Sequence, residues 1–308
     1  MTTGHIPVLV REVVAALGPR PDGLYLDCTV GGGGHAAAIL DAAGPPSRLV
    51  GVDRDPEAIA GARAALERFG DRVRLIHGDF RELPRLLSPL HLGRFDGILC
   101  DLGVSSLQIA DPGRGFSFSM EGPLDMRMDR HSGGLTARAL LHALPEERLA
   151  RIIREYGEER WARQVARGIV RARGHGSLET TQELATVVSR AIPRRLWPRR
   201  IHPATRTFQA IRIAVNQELE GLEEALEAAI DLLKVGGRIC VIAFHSLEDR
   251  VVKHLFRRLA APGAVPSVRI RILTRRPVTP SAEETGVNPR ARSAKLRAAE
   301  RREEQDGA

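Results

Sequence analysis

The sequence predicts a doubly wound α/β sheet that is interrupted by an all-helical insertion. Three observations lead to this prediction. Strand-like and helix-like runs alternate over residues 23–101, and helical periodicity with no convincing buried strand follows over residues 107–205. A strand-like run then returns at residues 238–244, directly after Gly236 and Gly237. A separate helical domain would leave this last run without a sheet to join, so we predict one sheet domain with an insertion.

The first half of the predicted sheet has regular βαβ alternation. A helix is predicted over residues 55–69, where Pro56 follows Asp55 and occupies a favourable first-turn position. Parallel strands joined by such helices place their carboxyl ends at one edge of the sheet. The four strands predicted in this half are residues 23–28, 47–53, 72–77 and 95–101.

The insertion is predicted from apolar residues that recur on one helical face. Leu149, Ile152, Ile153 and Tyr156 follow the spacing i, i+3, i+4, i+7 of an amphipathic helix. The predicted domain boundaries are residues 1–106 for the first part of the sheet domain, 107–205 for the insertion and 206–308 for the second part of the sheet domain.

The second part of the sheet domain is predicted to begin with one long helix, from about Thr205 to Leu233. A helix over residues 247–260 and a strand over 268–273, where apolar residues alternate with period two, follow. The tail from Thr274 is rich in proline, serine and arginine, so we predict that it is partly disordered.

The chain has 308 residues and a formal net charge of +8, which favours an anionic partner. Arginine supplies nearly all of the positive charge, because the only lysines are Lys234, Lys253 and Lys295. A GC-rich genome would explain the ratio of arginine to lysine. It would not explain the excess of positive over negative charge, so nucleic acid is the leading candidate partner.

Membrane and metal sites are not expected. No apolar run approaches the roughly 20 residues that a membrane-spanning helix needs, and the N-terminus lacks the pattern of a signal peptide. Cys28, Cys100 and Cys240 lie in apolar strand-like runs, with neither the spacing of a zinc site nor an even count. We therefore predict a cytoplasmic protein with buried thiols, no metal and no membrane partner.

A glycine turn is the most informative segment of the chain. The first predicted strand ends at Asp27, and residues 31–34 are four glycines. Glycine has no Cβ, so backbone at such a turn can approach a ligand closely. Asp53, at the end of the second predicted strand, is placed to accept hydrogen bonds from a ribose diol. The segment therefore predicts a nucleoside-cofactor site.

Two classes of cofactor fit the glycine turn. Gly31, Gly33 and Ala36 match the dinucleotide fingerprint, and Asp53 follows about 20 residues later, as that fingerprint requires. A nicotinamide or flavin dehydrogenase is therefore one alternative. The glycine match is weak by itself, so the other strand ends decide between the classes.

Acidic strand ends favour S-adenosylmethionine over a dinucleotide. Asp27 is placed to accept from the ammonium group of this cofactor. Asp79 and Phe80 follow the third strand, where an acid and an aromatic ring can hold adenine, and Asp101 ends the fourth strand in the same crevice. Each has a structural alternative, since Asp27 could cap the turn, Asp79 could cap the following helix and Phe80 could belong to the core.

Seven separated segments of the chain carry a resemblance to a known family. They are HIPVL (5–9), DLGVSS (101–106), RGFSF (114–118), GPLDMRMD (122–129), HPATRTFQ (202–209), FHSLEDR (244–250) and NPRARSAKLR (288–297). With these segments the chain resembles the MraW (RsmH) family of bacterial 16S rRNA (cytosine-N4)-methyltransferases. The resemblance implies a Rossmann-like class I methyltransferase sheet with an inserted all-helical domain, S-adenosylmethionine as cofactor, and a cytidine in the decoding centre of the small ribosomal subunit as substrate. It leaves open whether the chain forms a homodimer.

The resemblance also implies which residues contact the cofactor. By position, Asp53 would hold the ribose, and Phe80 and Asp101 would line the adenine side of the pocket. Gln108 would close the pocket from the start of the insertion, although this chain has Leu107 where the family commonly has proline. The remaining implied cofactor contacts are Gly33, Gly34 and His35.

Chemistry at the target amine suggests two further roles. Cytosine N4 is a poor nucleophile because its lone pair is delocalised into the ring, whereas a sulfonium donor is already activated. The enzyme then needs alignment and hydrogen-bond acceptors at the amine more than a strong base. Asp101 and Ser105 are the candidates for positioning the amine, and Asp101 could serve the cofactor instead. Methylation at C5 would need a cysteine, but strand alternation turns Cys100 away from Asp101.

The target base must be single-stranded or flipped out of a helix. Asn216 could read the base edge and His245 could contact the target, with a local amide bond and a helix cap as the alternatives. Arg292 belongs to the basic tail, which is the stronger RNA-binding candidate. A further candidate, on the insertion, is the group of Trp197 with Arg194, Arg195, Arg199 and Arg200.

Two other functions stay open at this point. One is methyl transfer to DNA or protein with the same cofactor, and the other is a catalytically silent, RNA-binding assembly factor that retains the fold. The glycine turn and Asp101 argue against the silent protein. The class of acceptor rests on the resemblance.

Overall fold

The computed structural model describes residues 7–131, 133–261 and 269–303. Two compact units divide the chain: the sheet unit, which comprises the residues up to Gly103 and those from Leu219 onwards, and the helical unit, Val104–Glu218. The boundaries expected from the sequence lie after residues 106 and 205. The second boundary differs because Phe208 and Ile211 pack in the core of the helical unit.

Seven described strands form one mixed sheet in the sheet unit. They are β1 (Leu24–Asp27), β2 (Arg48–Asp53), β3 (Val73–His77), β4 (Phe95–Asp101), β5 (Leu233–Ala243), β6 (Arg269–Ile272) and β7 (Lys295–Arg302). Their order across the sheet is β3-β2-β1-β4-β5-β7-β6. Strands β1 to β5 are parallel, and β7 is antiparallel to both β5 and β6. The predicted α/β alternation and the returning strand are confirmed.

The helices follow the predicted pattern in most places. Asp55 caps the third helix by accepting a hydrogen bond from the Glu57 N–H at 3.0 Å, with Pro56 in the first turn as predicted. None of the described helices combines the length and the apolar character that a bilayer crossing requires. In chain order the described α-helices are α1 (Val10–Leu17), α2 (Gly34–Ala43), α3 (Pro56–Leu66), α4 (Leu83–Leu87), α5 (Ser106–Ala110), α6 (Ala137–Ala143), α7 (Glu146–Gly157), α8 (Ala162–Gly174), α9 (Thr181–Ala191), α10 (Thr205–Asn216), α11 (Leu222–Asp231), α12 (Ser246–Leu259) and α13 (Ala282–Val287).

Apolar clusters cover both faces of the sheet. Alternation along β4 divides them: Ile98 and Cys100 pack on the face of α11 and α12, whereas Leu99 packs on the face of α1, α2 and α3. Successive side chains of a strand point to opposite faces. Cys100 is therefore turned away from Asp101, and its thiol is buried in the core, which supports the prediction that it is not a nucleophile.

The helical unit has an apolar core of its own. Leu141 from α6, Leu149 and Ile153 from α7, Val165 from α8 and Leu184 from α9 are all fully buried in it. These residues include two of the four that predicted an amphipathic helix from their spacing. The unit therefore folds around the periodic stripe that the sequence shows.

The single long helix predicted from Thr205 to Leu233 is wrong. Two helices, α10 and α11, occupy this segment. Gln217 ends α10 with φ of 51°, and Gly221 precedes α11 with φ of 68°. Left-handed backbone cannot continue a right-handed helix. The apolar spacing continues on both sides of the break, so periodicity alone did not reveal it.

The disorder predicted from Thr274 is wrong for the described part of the tail. β7 lies inside the sheet between β5 and β6, and Leu296, Ala298 and Ala299 are buried. The Arg297 guanidinium donates to Asp249 Oδ1 at 2.7 Å, and only 10% and 12% of the two side chains are exposed. Charged residues outnumber the leucine and the two alanines in this strand. The composition therefore predicted disorder, although these apolar residues are buried.

This buried ion pair gives a stability prediction. Arg297→Ala should lower the free energy of unfolding by about 3 kcal/mol, because it leaves the Asp249 carboxylate buried without its main partner. Lys295 Nζ, 3.2 Å from Asp249 Oδ2, limits the loss. Urea unfolding measures it, with Arg302→Ala as the control, since Arg302 is half exposed at the end of the same strand. Equal unfolding free energies for both variants would contradict the anchoring of β7 by this pair.

Candidate active site

Three aspartates end three neighbouring strands of the parallel part of the sheet. Asp27 ends β1, Asp53 ends β2 and Asp101 ends β4. In the register of the sheet, Asp27 lies beside Gly51 on one side and Leu99 on the other. Carboxyl ends of parallel strands meet at one edge, where open α/β sheets bind their ligands. The structure therefore brings these three predicted residues to a common edge.

The carboxyl group of Asp27 is held inside the protein, with 1% of the residue exposed. Oδ1 accepts a hydrogen bond from the Thr29 N–H at 3.1 Å, and Oδ2 is buried without a hydrogen-bond partner among the described residues. Burial, together with the carboxylates of Asp101 and Asp53, raises the pKa of Asp27 to about 7 against the opposing effects of His35 and the Thr29 N–H. A cationic donor at Oδ2 would favour the charged form.

Asp101 joins the end of β4 to the glycine turn. Its N–H donates to Thr29 Oγ1 at 2.6 Å. Burial, and then the nearby Glu248 carboxylate, raises the pKa of Asp101 to about 8. Oδ1 is buried without a hydrogen-bond partner in the described part of the chain, yet 24% of the side chain is exposed. The carboxyl group thus lies at the boundary between the protein interior and the open edge of the sheet.

His35 lies in the first turn of α2 and is 7% exposed. Its Nε2 is 2.8 Å from the carbonyl oxygen of Val8, which can only accept, so we assign the proton to Nε2. Burial lowers the pKa of His35, and a neutral ring then presents an unprotonated Nδ1. That nitrogen lies 3.7 Å from Asp101 Oδ2, so the imidazole is an acceptor that faces the carboxyl group.

The glycines of the turn serve different purposes. Gly33 has φ of 84°, and a Cβ there would lie 3.1 Å from Leu66; a Cβ on Gly34 would lie 2.3 Å from Pro7. Packing within the protein therefore requires these two glycines. Gly31 has φ of 51°, and a Cβ there would meet only the Thr29 carbonyl at 3.8 Å. The space beside Gly31 is open, and contacts of Gly33 and Gly34 with a cofactor stay a prediction.

Asp53 closes the glycine turn from β2. Its Oδ2 accepts from the Gly31 N–H at 2.8 Å, and its Oδ1 accepts from the Asp55 N–H at 2.9 Å. Burial raises the pKa of Asp53 to about 6, although the two N–H groups lower it. Each carboxylate oxygen has a further lone pair, so both can also accept from a diol. The ribose contact stays a prediction that this geometry permits.

The raised pKa values predict how the stability of the cofactor-free protein depends on pH. A carboxyl group whose pKa is higher in the folded state binds more protons when folded, so stability falls as pH rises. The ordinary value is 3.8, and the folded values are about 6 for Asp53, 7 for Asp27 and 8 for Asp101. We expect the melting temperature to decline from about pH 4 to about pH 8.

Differential scanning calorimetry at constant ionic strength measures this decline. Asp101 has the highest of the three pKa values, so Asp101→Asn should flatten the profile between about pH 7 and pH 8 while the decline at lower pH remains. In the unsubstituted protein, a melting temperature that rises between about pH 4 and pH 8 would contradict the raised pKa values of Asp27, Asp53 and Asp101.

Asp79 and Phe80 follow β3 as predicted, but Asp79 is already engaged. Its carboxylate accepts from Arg81 at 2.6 and 3.0 Å and caps a short 3-10 helix through the Arg81 N–H. Burial alone would raise the pKa of Asp79, but the bonds from Arg81 outweigh burial and lower it. Phe80 is half buried against the core cluster of α11 and α12. The helix-capping alternative for Asp79 is therefore confirmed.

Ser105 and Gln108 form a capping box at the start of α5 in the helical unit. Ser105 Oγ accepts from the Gln108 N–H at 3.2 Å, and Gln108 Oε1 accepts from the Ser105 N–H at 2.9 Å. Both side chains thus order the chain directly after Asp101. Their predicted roles toward the amine and the cofactor stay predictions.

Asn216 has a structural function that the sequence offered only as an alternative. Its Oδ1 accepts from the Met128 N–H at 2.8 Å, and its Nδ2 donates to the carbonyls of Met126 and Arg212 at 2.7 and 2.9 Å. The residue is 2% exposed. Since both amide hydrogens are used and the group is buried, the structure argues against the predicted reading of a base edge.

His245 and Arg292 lie in different environments. His245 is the N-cap of α12: its Nδ1 accepts from the Glu248 N–H at 3.3 Å, and its Nε2 lies 3.1 Å from Glu248 Oε1. The helix-cap alternative is therefore confirmed, and contact with the target stays a prediction. Arg292 is exposed on the 3-10 helix Pro289–Ser293, where it is accessible to RNA.

Sequence reasoning missed two residues that shape the site. Thr29 Oγ1 accepts a hydrogen bond from the backbone N–H of Asp101. Glu248 is 1% exposed, and its carboxylate is the second cause, after burial, of the raised pKa of Asp101. A signal for Glu248 was present, because His245 followed three residues later by a glutamate has the spacing of a capping box. Nothing in the sequence indicated the bond from Asp101 to Thr29, since the two residues are 72 positions apart.

The residues at this edge fit a cationic nucleoside cofactor. Two buried carboxylate oxygens, Asp27 Oδ2 and Asp101 Oδ1, have no hydrogen-bond partner among the described residues. A buried acceptor left without a donor is costly. A ligand that brings an ammonium group and amine hydrogens would satisfy both oxygens, whereas the pyrophosphate of a dinucleotide would place negative charge among three carboxylates.

Comparison with known proteins agrees with this chemistry. The family model described as the MraW methylase family matches residues 2–302. The protein named Ribosomal RNA small subunit methyltransferase H from Pelobacter propionicus is 54% identical over 308 residues, which cover 96% of this chain and 98% of that protein. Proteins of the same name from Geobacter sulfurreducens and Thermomicrobium roseum are 53% and 51% identical, each over 98% of this chain, and are covered to 100% and 94%.

These matches span nearly the whole chain at about half identity. They agree with the parallel sheet, the acidic strand ends and the glycine turn described above. The chain therefore belongs to the MraW methylase family and is an S-adenosylmethionine-dependent methyltransferase.

Proposed function

We propose that the protein methylates the N4 amine of a cytidine in the decoding centre of 16S rRNA within the small ribosomal subunit. The names of the relatives support ribosomal RNA as the substrate, and the resemblance read from the sequence supports the amine and its place. The structural observation that carries the proposal is the Asp101 carboxyl group, which ends β4 with one buried oxygen that has no partner in the described residues.

Several residues of the sheet unit would hold the cofactor. Asp27 would accept from its ammonium group, Asp53 would bind its ribose, and Phe80 would contact its adenine. When bound, S-adenosylmethionine supplies an activated methyl group on a sulfonium centre. Gly33, Gly34 and His35 complete the proposed set of cofactor contacts in this unit. Gln108, in the helical unit, stays a contact predicted from the sequence.

Asp101 would act at the amine. An acceptor on an N4 hydrogen localises the nitrogen lone pair and stabilises the positive charge that develops there. The methylated amine must then lose a proton. The pKa of Asp101 is about 8 without the cofactor, and a positive sulfonium group bound nearby would favour the charged form of the carboxyl group. The carboxylate could then receive the proton near neutral pH. His35 Nδ1, 3.7 Å from Asp101 Oδ2, provides a neutral acceptor beside the carboxyl group.

RNA would contact exposed arginines in both units. Arg194, Arg195, Arg199 and Arg200 are exposed in the helical unit. Trp197 is half buried and its indole N–H donates to the Ile192 carbonyl at 2.9 Å, so the ring is less available for base stacking than its sequence context suggested. Action on ribosomal subunits would place the protein in the cytoplasm, and a homodimer would be tested by sedimentation.

Transfer of tritium from labelled cofactor tests the proposal. The label is offered in parallel to small ribosomal subunits, naked 16S rRNA, DNA and total protein, and the labelled acceptor is digested to nucleosides or amino acids. The proposal expects N4-methylcytidine from the ribosomal acceptor. Label in DNA or protein alone would reject it, and the absence of transfer to every acceptor would favour a silent binding protein.

A further inference from the structure

We infer that the sheet unit carries a second RNA-binding surface, a basic groove between α12 and strands β6 and β7, which binds the phosphodiester backbone of the substrate RNA. The inference rests on the proposed ribosomal RNA substrate and extends it to a different part of the sheet unit. The basic groove has a volume of about 1130 Å³ and includes Val235 and Gly236. These residues lie near the start of β5, whereas Asp27, Asp53 and Asp101 lie at the carboxyl ends of their strands.

Positive charge dominates the basic groove. Its lining contains seven lysine and arginine side chains and two glutamates. Some of this charge is neutralised inside the protein, because Arg297 pairs with Asp249 and Arg271 pairs with Glu300. The cations that remain without an ion pair or hydrogen bond to described residues are Lys253, Arg257 and Arg275.

These three cations line the groove from two segments of the chain, α12 and the residues after β6. Lys253 and Arg257 are separated by one turn of α12 and lie on the same helix face, and Arg275 lies three residues after the end of β6. Like charges at this helical spacing are destabilising. A concave surface with one sign of charge also focuses the electrostatic potential. An anion bound in the groove would relieve the repulsion, and no described residue pairs with any of the three cations to do so.

The shape of the groove favours a polyanion over a small anion or a free base. Its volume far exceeds that of a single phosphate group. Its apolar floor is closed, because Phe256 and Ile270 are only 2% and 5% exposed and offer no ring for a base to stack on. Contacts would therefore go to phosphates, through guanidinium groups suited to them, and would be independent of sequence.

Salt dependence of RNA binding tests the inference. The groove variant Lys253→Ala/Arg257→Ala/Arg275→Ala is compared with the control Arg11→Ala/Arg48→Ala/Arg63→Ala, which removes the same charge from exposed residues outside the groove. Fluorescence anisotropy with a labelled single-stranded fragment of 16S rRNA gives the dissociation constant between about 50 and 200 mM KCl. Three lost contacts at about 0.7 each should reduce the slope of log K against log salt by about 2.

The expected difference is large. Over this fourfold range of salt, the unsubstituted protein should lose about 16-fold more affinity than the groove variant, since the slopes differ by about 2. The control should keep the slope of the unsubstituted protein. Equal slopes for both triple variants would overturn the inference. An acidic peptide tests the alternative that the groove binds protein: a groove variant that loses binding to the peptide but keeps its RNA binding would also overturn the inference.

Two additional measurements keep the result interpretable. Lys253 is half buried, so the double variant Arg257→Ala/Arg275→Ala, in which both residues are exposed, is a second test that leaves the core untouched; its slope should fall by about 1.4. Nucleoside analysis separates the two proposals. N4-methylcytidine with unchanged slopes would reject only the groove, and groove-dependent RNA binding without N4-methylcytidine would reject only the proposed reaction.

Discussion

Replacing Asp101 by asparagine is expected to slow methyl transfer about 100- to 1,000-fold at saturating cofactor, the usual loss when one stabilising group of a transition state is removed. Asparagine keeps the size of the side chain and the backbone bond to Thr29 Oγ1. It removes the charge that would stabilise the amine and the site that would take its proton. The single-turnover rate of tritium transfer to small subunits measures the effect.

The measurement also decides which partner Asp101 serves. Asp71→Asn is the matched control, because Asp71 is exposed on a 3-10 helix of the same unit and should leave the rate unchanged. Calorimetric titration of each variant with S-adenosylmethionine gives its affinity separately. A normal rate at saturation combined with weakened cofactor binding would assign Asp101 to the cofactor and remove it from the chemistry at the amine.

Asp53→Ala is expected to raise the Kd for S-adenosylmethionine by about tenfold to 150-fold. The substitution removes a charged acceptor of the ribose hydroxyls, and hydrogen bonds to charged groups contribute about 1.5–3 kcal/mol. It also removes the bonds from the Gly31 and Asp55 N–H groups, which shape the glycine turn. Calorimetric titration gives the Kd, and thermal melting without cofactor reports damage to the turn.

A conservative variant separates binding from folding at this position. Asp53→Asn retains one carbonyl oxygen and should recover part of the melting temperature while its Kd for the cofactor stays raised. Asp71→Ala provides the exposed control. An unchanged Kd in a folded Asp53→Ala protein would refute the ribose role.

The α/β half of the fold was readable from the sequence because its signals are local. Strands β1 to β4 are short apolar runs, and Asp55 with Pro56 starts α3 by a local cap. The break between α10 and α11 depends on the left-handed backbone at Gln217. A residue other than glycine gives little warning of such a conformation, so the apolar periodicity predicted one helix where there are two.

The acidic strand ends were predictable for the same reason, but their surroundings were not. Asp27, Asp53 and Asp101 follow apolar strands, and parallel topology brings them to one edge. Asp27 and Asp101 each have an oxygen without a hydrogen-bond partner among the described residues, and this depends on side chains far away in sequence. The influence of Glu248 on the pKa of Asp101 depends on a distant residue too. Asn216 was predicted to read a base edge, but its hydrogen bonds with the backbone of Met126 and Met128 give it a structural role. These contacts are also distant in sequence.

The structured tail changes how its predicted RNA contacts must be tested. Deleting the residues after Asn288 would remove β7 from the sheet, so lost RNA binding in such a variant would report unfolding. Arg292→Ala is the informative substitution, because Arg292 is exposed on the 3-10 helix before β7. It should weaken RNA binding and leave the melting temperature unchanged.

The position of β7 has a consequence for how the protein is made. Until residues 295–302 leave the ribosomal exit tunnel, β5 exposes the hydrogen-bonding groups of one edge, and β6 lacks the strand with which it pairs among the described residues. Nascent chains without β7 would therefore carry an open sheet edge. Products that terminate before residue 295 should be recognised by quality-control proteases.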